Sequence, residues 1–97
     1  MRKHKLNIGN FKEDENGNLT HYFPNGDNVL IYPYEKGYYA AYYKYGITSA
    51  PVESLETNIA KYQESEVFPG HQVLRGEAVQ KAIELCNILT QQHYEES

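Results

Sequence analysis

Seven of the ten tyrosines fall between Tyr32 and Tyr45. A tyrosine recognises what it touches with a large rigid ring and a polar tip, at little rotamer cost. Read as a strand, residues 38–45 send Tyr38, Ala40, Tyr42 and Lys44 to one face and Tyr39, Ala41, Tyr43 and Tyr45 to the other. Whichever face packs on the core, the other shows at least two rings. Three rings crowd a covering helix more than two, so Tyr39, Tyr43 and Tyr45 are expected to point outward. With Tyr32 and Tyr34, which share a face of the preceding strand, they make the expected partner-binding set. The competing reading is structural, since tyrosine suits half-buried pleated surfaces and pairs well across strands.

Other constellations carry less. Asp14, Asn16 and Asn18 have the first three spacings of a calcium loop, but Leu19 stands where that loop needs glycine and Asn25 where it needs glutamate. They read as a turn. Cys86 and His93 share one helical stripe, yet His4, His21 and His71 offer no paired spacing to complete a zinc site. Ser49, Ser54 and Ser65 lie in no nucleophile elbow, and Cys86 points into the expected core. Gly70 and Gly76 are not followed by the Lys-Ser or Lys-Thr of a phosphate loop. The expectation is a protein without catalysis, cofactor or metal.

Charge narrows the partner. Arg2, Lys3, Lys5 and Lys12 precede any acid, a charge of +4 that leaves −8 on residues 13–97 within a net charge of −4. An acidic body repels phosphate backbones, so nucleic acid is disfavoured and a protein partner is expected. The alternative is a nucleotide or single-stranded nucleic acid stacked on Tyr32, Tyr39 or Tyr43. Lys36-Gly37-Tyr38-Tyr39-Ala40-Ala41-Tyr42-Tyr43 matches the aromatic strand of RNA-recognition domains at Lys36, Gly37, Tyr38 and Tyr43 but fails it at Tyr39, Ala40 and Ala41. A single cysteine, an N-terminus unlike a signal peptide and no long apolar run imply a cytoplasmic protein that avoids membranes.

Strands fill the first half. Residues 5–11, 19–23, 29–34 and 38–45 alternate, and Asn16-Gly17 and Asn25-Gly26 between them are hairpin signals because both residue types tolerate positive φ. Pro33 cannot donate to a ladder, so the third strand is expected to fray or meet an edge there. After Gly46 the period lengthens. Val52, Leu55, Ile59 and Tyr62 trace one narrow stripe, predicting a helix over 51–64 with Glu53 and Glu56 at its start. Ala78, Val79, Ala82, Ile83, Leu85, Cys86 and Leu89 predict a second over 76–93, with an apolar face about 160° wide. Residues 71–74 fit either a fifth strand or a lead-in to that helix.

The expected architecture is therefore α+β, a four-stranded antiparallel meander followed by two helices on one sheet face, in a single domain over 1–97 with a basic arm at 1–5. Gly37-Tyr38-Tyr39-Ala40-Ala41-Tyr42, Thr48 and Ser54-Leu55-Glu56 resemble HicB-type antitoxins. That resemblance implies strand-strand-helix order and a small protein that neutralises a partner. The Asp-Leu-Pro-Gly joint of those antitoxins is replaced by Lys44-Tyr45-Gly46-Ile47, and Thr57-Asn58 stand in place of Glu-Ala. The function expected is a small acidic inhibitor, antitoxin-like or phage anti-defence-like, which docks its partner through the tyrosine sheet. Ile88, between Glu77 and Lys81 on the wheel and outside the apolar arc, points with the surplus tyrosines to a homodimer.

Overall fold

A computed structural model describes residues 5–34, 37–47, 49–60, 62–74 and 76–95. Residues 1–4 of the expected basic arm, Glu35, Lys36 and Thr48 lie outside the described residues. Strands β1 (Lys12–Glu13), β2 (Leu19–Tyr22), β3 (Asn28–Tyr34), β4 (Gly37–Tyr43) and β5 (Glu53–Glu56) form an antiparallel sheet in that order. β6 (Tyr62–Glu64) and β7 (Gln72–Leu74) pair as a separate hairpin, and α1 (Gly76–Thr90) continues into a π-turn over Gln91–Glu95.

The two Asn-Gly turns close as their chemistry dictates. The Asp14 carboxylate accepts from the main-chain N–H of Asn16 and Asn18, both at 2.9 Å, while Gly17 takes φ 83°. Those bonds, from Asn18 above all, hold the Asp14 pKa below its ordinary value. In the next turn Phe23 N–H donates to Asp27 O at 2.8 Å and Gly26 takes φ 93°. The Tyr45 ring occupies the space where a Cβ on Gly26 would stand, so only glycine fits.

The register sets the core. Direct antiparallel partners share a face, so Leu19 and Ile31, Ile31 and Ala40, and Val29 and Tyr42 line one side of the sheet. α1 lies on that side across β3 and β4, burying Ala78, Ala82, Ile83, Leu85, Cys86 and Leu89 against Val29, Ile31, Ala40 and Tyr42. Leu6 is tied to the helix by two bonds, its N–H donating to Asn87 Oδ1 at 2.7 Å and its carbonyl accepting from Asn87 Nδ2 at 3.2 Å. Cys86 is fully buried, and burial pushes its thiol up to about 12. In the native protein it should therefore resist a thiol reagent that labels it rapidly in denaturant. Cys86→Ala should cost only about 1 kcal/mol, because one sulfur leaves a small cavity.

The helix expected over 51–64 does not form. Its place is taken by β5, a left-handed Asn58 at φ 60° and β6. The reason lies in β4, whose Ala40, Ala41 and Tyr42 are fully buried. A buried strand needs backbone partners on both edges, which a helix cannot offer. β5 provides them: Ala40 pairs with Leu55 and Tyr42 with Glu53, and Thr57 N–H donates to Tyr38 O at 3.0 Å. Glu53 and Glu56 are thus strand residues. The sheet has five strands where four were expected, with one α-helix among the described residues.

Two smaller corrections follow from local bonding. The strand expected over 5–11 is a 3-10 turn at Ile8–Asn10, because Asn7 and Asn10 side chains bond to nearby main-chain N–H groups at 2.9–3.0 Å and compete with a ladder. The fourth strand stops at Tyr43, leaving Tyr45 in the following turn. Residues 72–74 are β7, which settles the fifth-strand question as a strand outside the main sheet. Pro33 lies beyond Ile31, the last β3 residue that pairs with β2, where its missing N–H is not called upon.

Candidate functional site

The side of the sheet opposite α1 is where the tyrosines gather. β2 contributes Thr20 and Tyr22, β3 Asn28, Leu30, Tyr32 and Tyr34, and β4 Tyr39, Ala41 and Tyr43. The register sets Tyr32 opposite Tyr39, Leu30 opposite Ala41 and Asn28 opposite Tyr43. Tyr39 is the hub: its ring centroid is 5.4 Å from that of Tyr32 and 4.4 Å from that of Tyr34. Partial burial, then the proximity of Tyr43 and Tyr39, raise the Tyr32 pKa, so its hydroxyl stays neutral and able to donate. A shallow cleft of about 260 Å³ between Thr20, Tyr22, Asn28, Leu30 and Tyr43 continues the surface toward β2.

Charge is confined to the margins of this face. Lys12 on β1 and Glu56 on β5, opposite Tyr39, mark its two edges, and the positions between them are uncharged. Ala41 is fully buried even though it faces away from the helix, since rings flank it and Leu30 stands across from it. The centre is thus apolar at its base, with phenol groups around it.

Of the five residues expected to bind a partner, Tyr32, Tyr34, Tyr39 and Tyr43 share this face. Tyr45 does not. It is 76% exposed, beyond the end of β4, with its ring against Gly26 and its N–H donating to Asp27 Oδ1 at 2.9 Å. Tyr22 takes the place left open, 68% exposed and opposite Asn28. The signal for it was available, because alternation of Leu19, His21 and Phe23 sends Thr20 and Tyr22 the other way. Tyr38 and Tyr42 are buried under α1.

A second cluster, at one end of the core, escaped sequence reading. The buried Asp27 carboxylate accepts from Tyr42 Oη at 2.5 Å, Tyr45 N–H at 2.9 Å and Asn25 Nδ2 at 3.1 Å, with Lys44 Nζ at 3.6 Å. Lys44 also donates to His93 O at 3.2 Å, and His93 Nε2 meets Glu53 Oε1 at 2.7 Å. Burial alone would raise the Asp27 pKa; the bonds from Tyr42, Tyr45 and Asn25, with Lys44, outweigh it and lower the value. Burial first, then the bond to Asp27, raises the Tyr42 pKa. Aspartate, lysine, histidine and tyrosine are acid–base types, but here they bond to one another and to main chain. Among the described residues no buried side-chain nitrogen or oxygen lacks a partner, so the cluster reads as a fastening between the 23–27 turn, β4 and the chain's end.

Among the described residues no three His, Cys, Asp or Glu side chains converge as metal ligands, and no helix is long and apolar enough to cross a membrane. No family model, curated protein or solved structure matches the chain. The helix that the HicB resemblance implies at Ser54-Leu55-Glu56 is β5, so the strand-strand-helix order drawn from it does not hold.

Proposed function

We propose that this chain is a small non-catalytic binding protein, an inhibitor in the manner of an antitoxin or anti-defence protein, which docks a protein partner through its open tyrosine face. The observation that carries the reading is the anatomy of that face. Tyrosine-rich, uncharged at its centre and bordered by Lys12 and Glu56, it has the composition that distinguishes the core of a protein interface from ordinary surface. The helix that could have covered it lies on the other side. The acidic body favours a partner of opposite charge and steers its approach. A buried, unpaired cysteine suits the reducing cytoplasm as the place where this happens.

The same rings could stack bases, and salt separates the two. Stacking on a nucleic acid brings phosphate contacts, whose release of counterions makes affinity fall steeply with salt. The partner captured by the full chain from cells is expected to be a protein that survives nuclease treatment, held with an affinity that changes less than about tenfold between low and physiological salt. Captured material that is nuclease-sensitive and lost steeply with salt would replace this reading with the nucleic-acid one.

A further inference from the structure

The β6–β7 hairpin stands apart from the body. Residues 66–72 are all exposed, and the chain's radius of gyration of 14.4 Å exceeds the about 12.5 Å of a compact chain of this length. A two-stranded hairpin alone is marginally stable in water. Its tip, however, is built. Ser65 Oγ accepts from the N–H of Val67 at 3.2 Å and of Phe68 at 3.0 Å, and Glu64 Oε1 accepts from Gly70 N–H at 3.2 Å. His71 N–H closes onto Phe68 O at 3.1 Å. What this frame presents is apolar: Val67 is 75% and Phe68 63% exposed.

At the root of the same arm lies an apolar groove. It encloses about 340 Å³ between Ile8, Leu19, Tyr38, Gly76 and Val79, with Glu13 at its side, which is room for an aromatic ring and a neighbouring aliphatic side chain. Gly76 follows β7 by two positions, while Phe68 lies in the turn ahead of that strand, whose three residues span roughly 10 Å at strand rise. Tip and groove therefore sit at opposite ends of one arm. Two copies related by a two-fold axis through the middle of the arms would bring each tip to the other's groove. That contact is reciprocal and closes as a dimer.

We propose that the chain self-associates by this exchange, Val67 and Phe68 of each copy filling the groove of the other, with His71 brought toward Glu13. The surface used is on the α1 side, so the tyrosine face stays free and this pairing stands independently of the function proposed for that face.

The test uses the whole chain and two variants. Val67→Ser with Phe68→Ser removes the tip. Gly76→Leu fills the groove from within, where a Cβ on Gly76 meets nothing within 4 Å. By sedimentation the parent is expected at twice 11.2 kDa, and each variant, melting as the parent does, at 11.2 kDa with self-association weakened about tenfold or more. Mixing the variants restores one intact tip-in-groove contact and should return a heterodimer. Independently, chains carrying Phe68→Cys mixed with chains carrying Gly76→Cys should form a disulfide-linked dimer on mild oxidation, with buried Cys86 a bystander. A parent that stays at 11.2 kDa at millimolar concentration overturns the proposal, as do a dimer unaffected by either variant and a mixed Cys pair that fails to cross-link.

Discussion

Asp27→Ala is expected to lose about 3 kcal/mol of stability. The carboxylate is buried, and its removal leaves the Tyr42 hydroxyl without its acceptor and the Tyr45 N–H without its own. The buried Tyr42 hydroxyl so orphaned costs about 1–3 kcal/mol, the part-buried Tyr45 N–H adds less, and Lys44 loses its ion pair besides. In a domain of this size that is a fall in Tm of about 12–24 °C. Tyr42→Phe removes the other half of the bond but leaves the carboxylate its remaining donors, so about 1 kcal/mol is expected there.

Acid should erase the advantage of aspartate. The folded state holds the Asp27 proton more weakly than the unfolded chain does, because its pKa is lowered from 3.8. The stability this contributes is full above the ordinary carboxylate range and fades as pH drops through the lower folded value. Denaturant melts of the parent and Asp27→Asn should therefore differ by a constant amount from neutral pH down to about 5 and draw together as pH falls on through 3.8 and the lower folded value. A gap that persists unchanged into strong acid, or an alanine cost under about 1 kcal/mol, would show that the cluster is not the fastening described.

What the sequence could and could not reveal follows from how local each determinant is. β2, β3 and β4 were legible because their alternation runs for four to seven residues between Asn-Gly turns. α1 was legible because its apolar face is wide enough to exclude a strand. The stripe Val52, Leu55, Ile59 and Tyr62 has one apolar residue per turn, and four residues of Glu53–Glu56 are too few to show alternation. The edge of β4 decided their fate, and that demand comes from residues more than ten positions away. Asp27 looks like any turn residue until Tyr42, fifteen positions on, is folded over it. Residues 63–72 of the arm are exposed or half-buried, so nothing in their periodicity announces two strands.

The face that recognises a partner should come apart from the face that holds the fold. Tyr42→Ala empties a fully buried site stacked against Phe23 and is expected to cost about 3–5 kcal/mol, enough to threaten folding. On the same strand but the other face, Tyr39→Ala loses cross-strand ring contacts with Tyr32 and Tyr34 and Tyr43→Ala loses its packing across from Asn28, with about 0.2–1 kcal/mol each at stake. If that face is the docking surface, the same two substitutions should each weaken partner binding by about 2 kcal/mol or more, near thirtyfold, because rings at the centre of an interface dominate its energy. Tyr45→Ala, off the face, should leave binding nearly unchanged. The pairing of measurements matters more than either value. Tyr39 and Tyr43 variants that melt like the parent and have lost their partner mark a recognition surface. Variants that melt as low as Tyr42→Ala while binding as the parent binds mark tyrosines that only build the sheet, and the function proposed for them goes with that result.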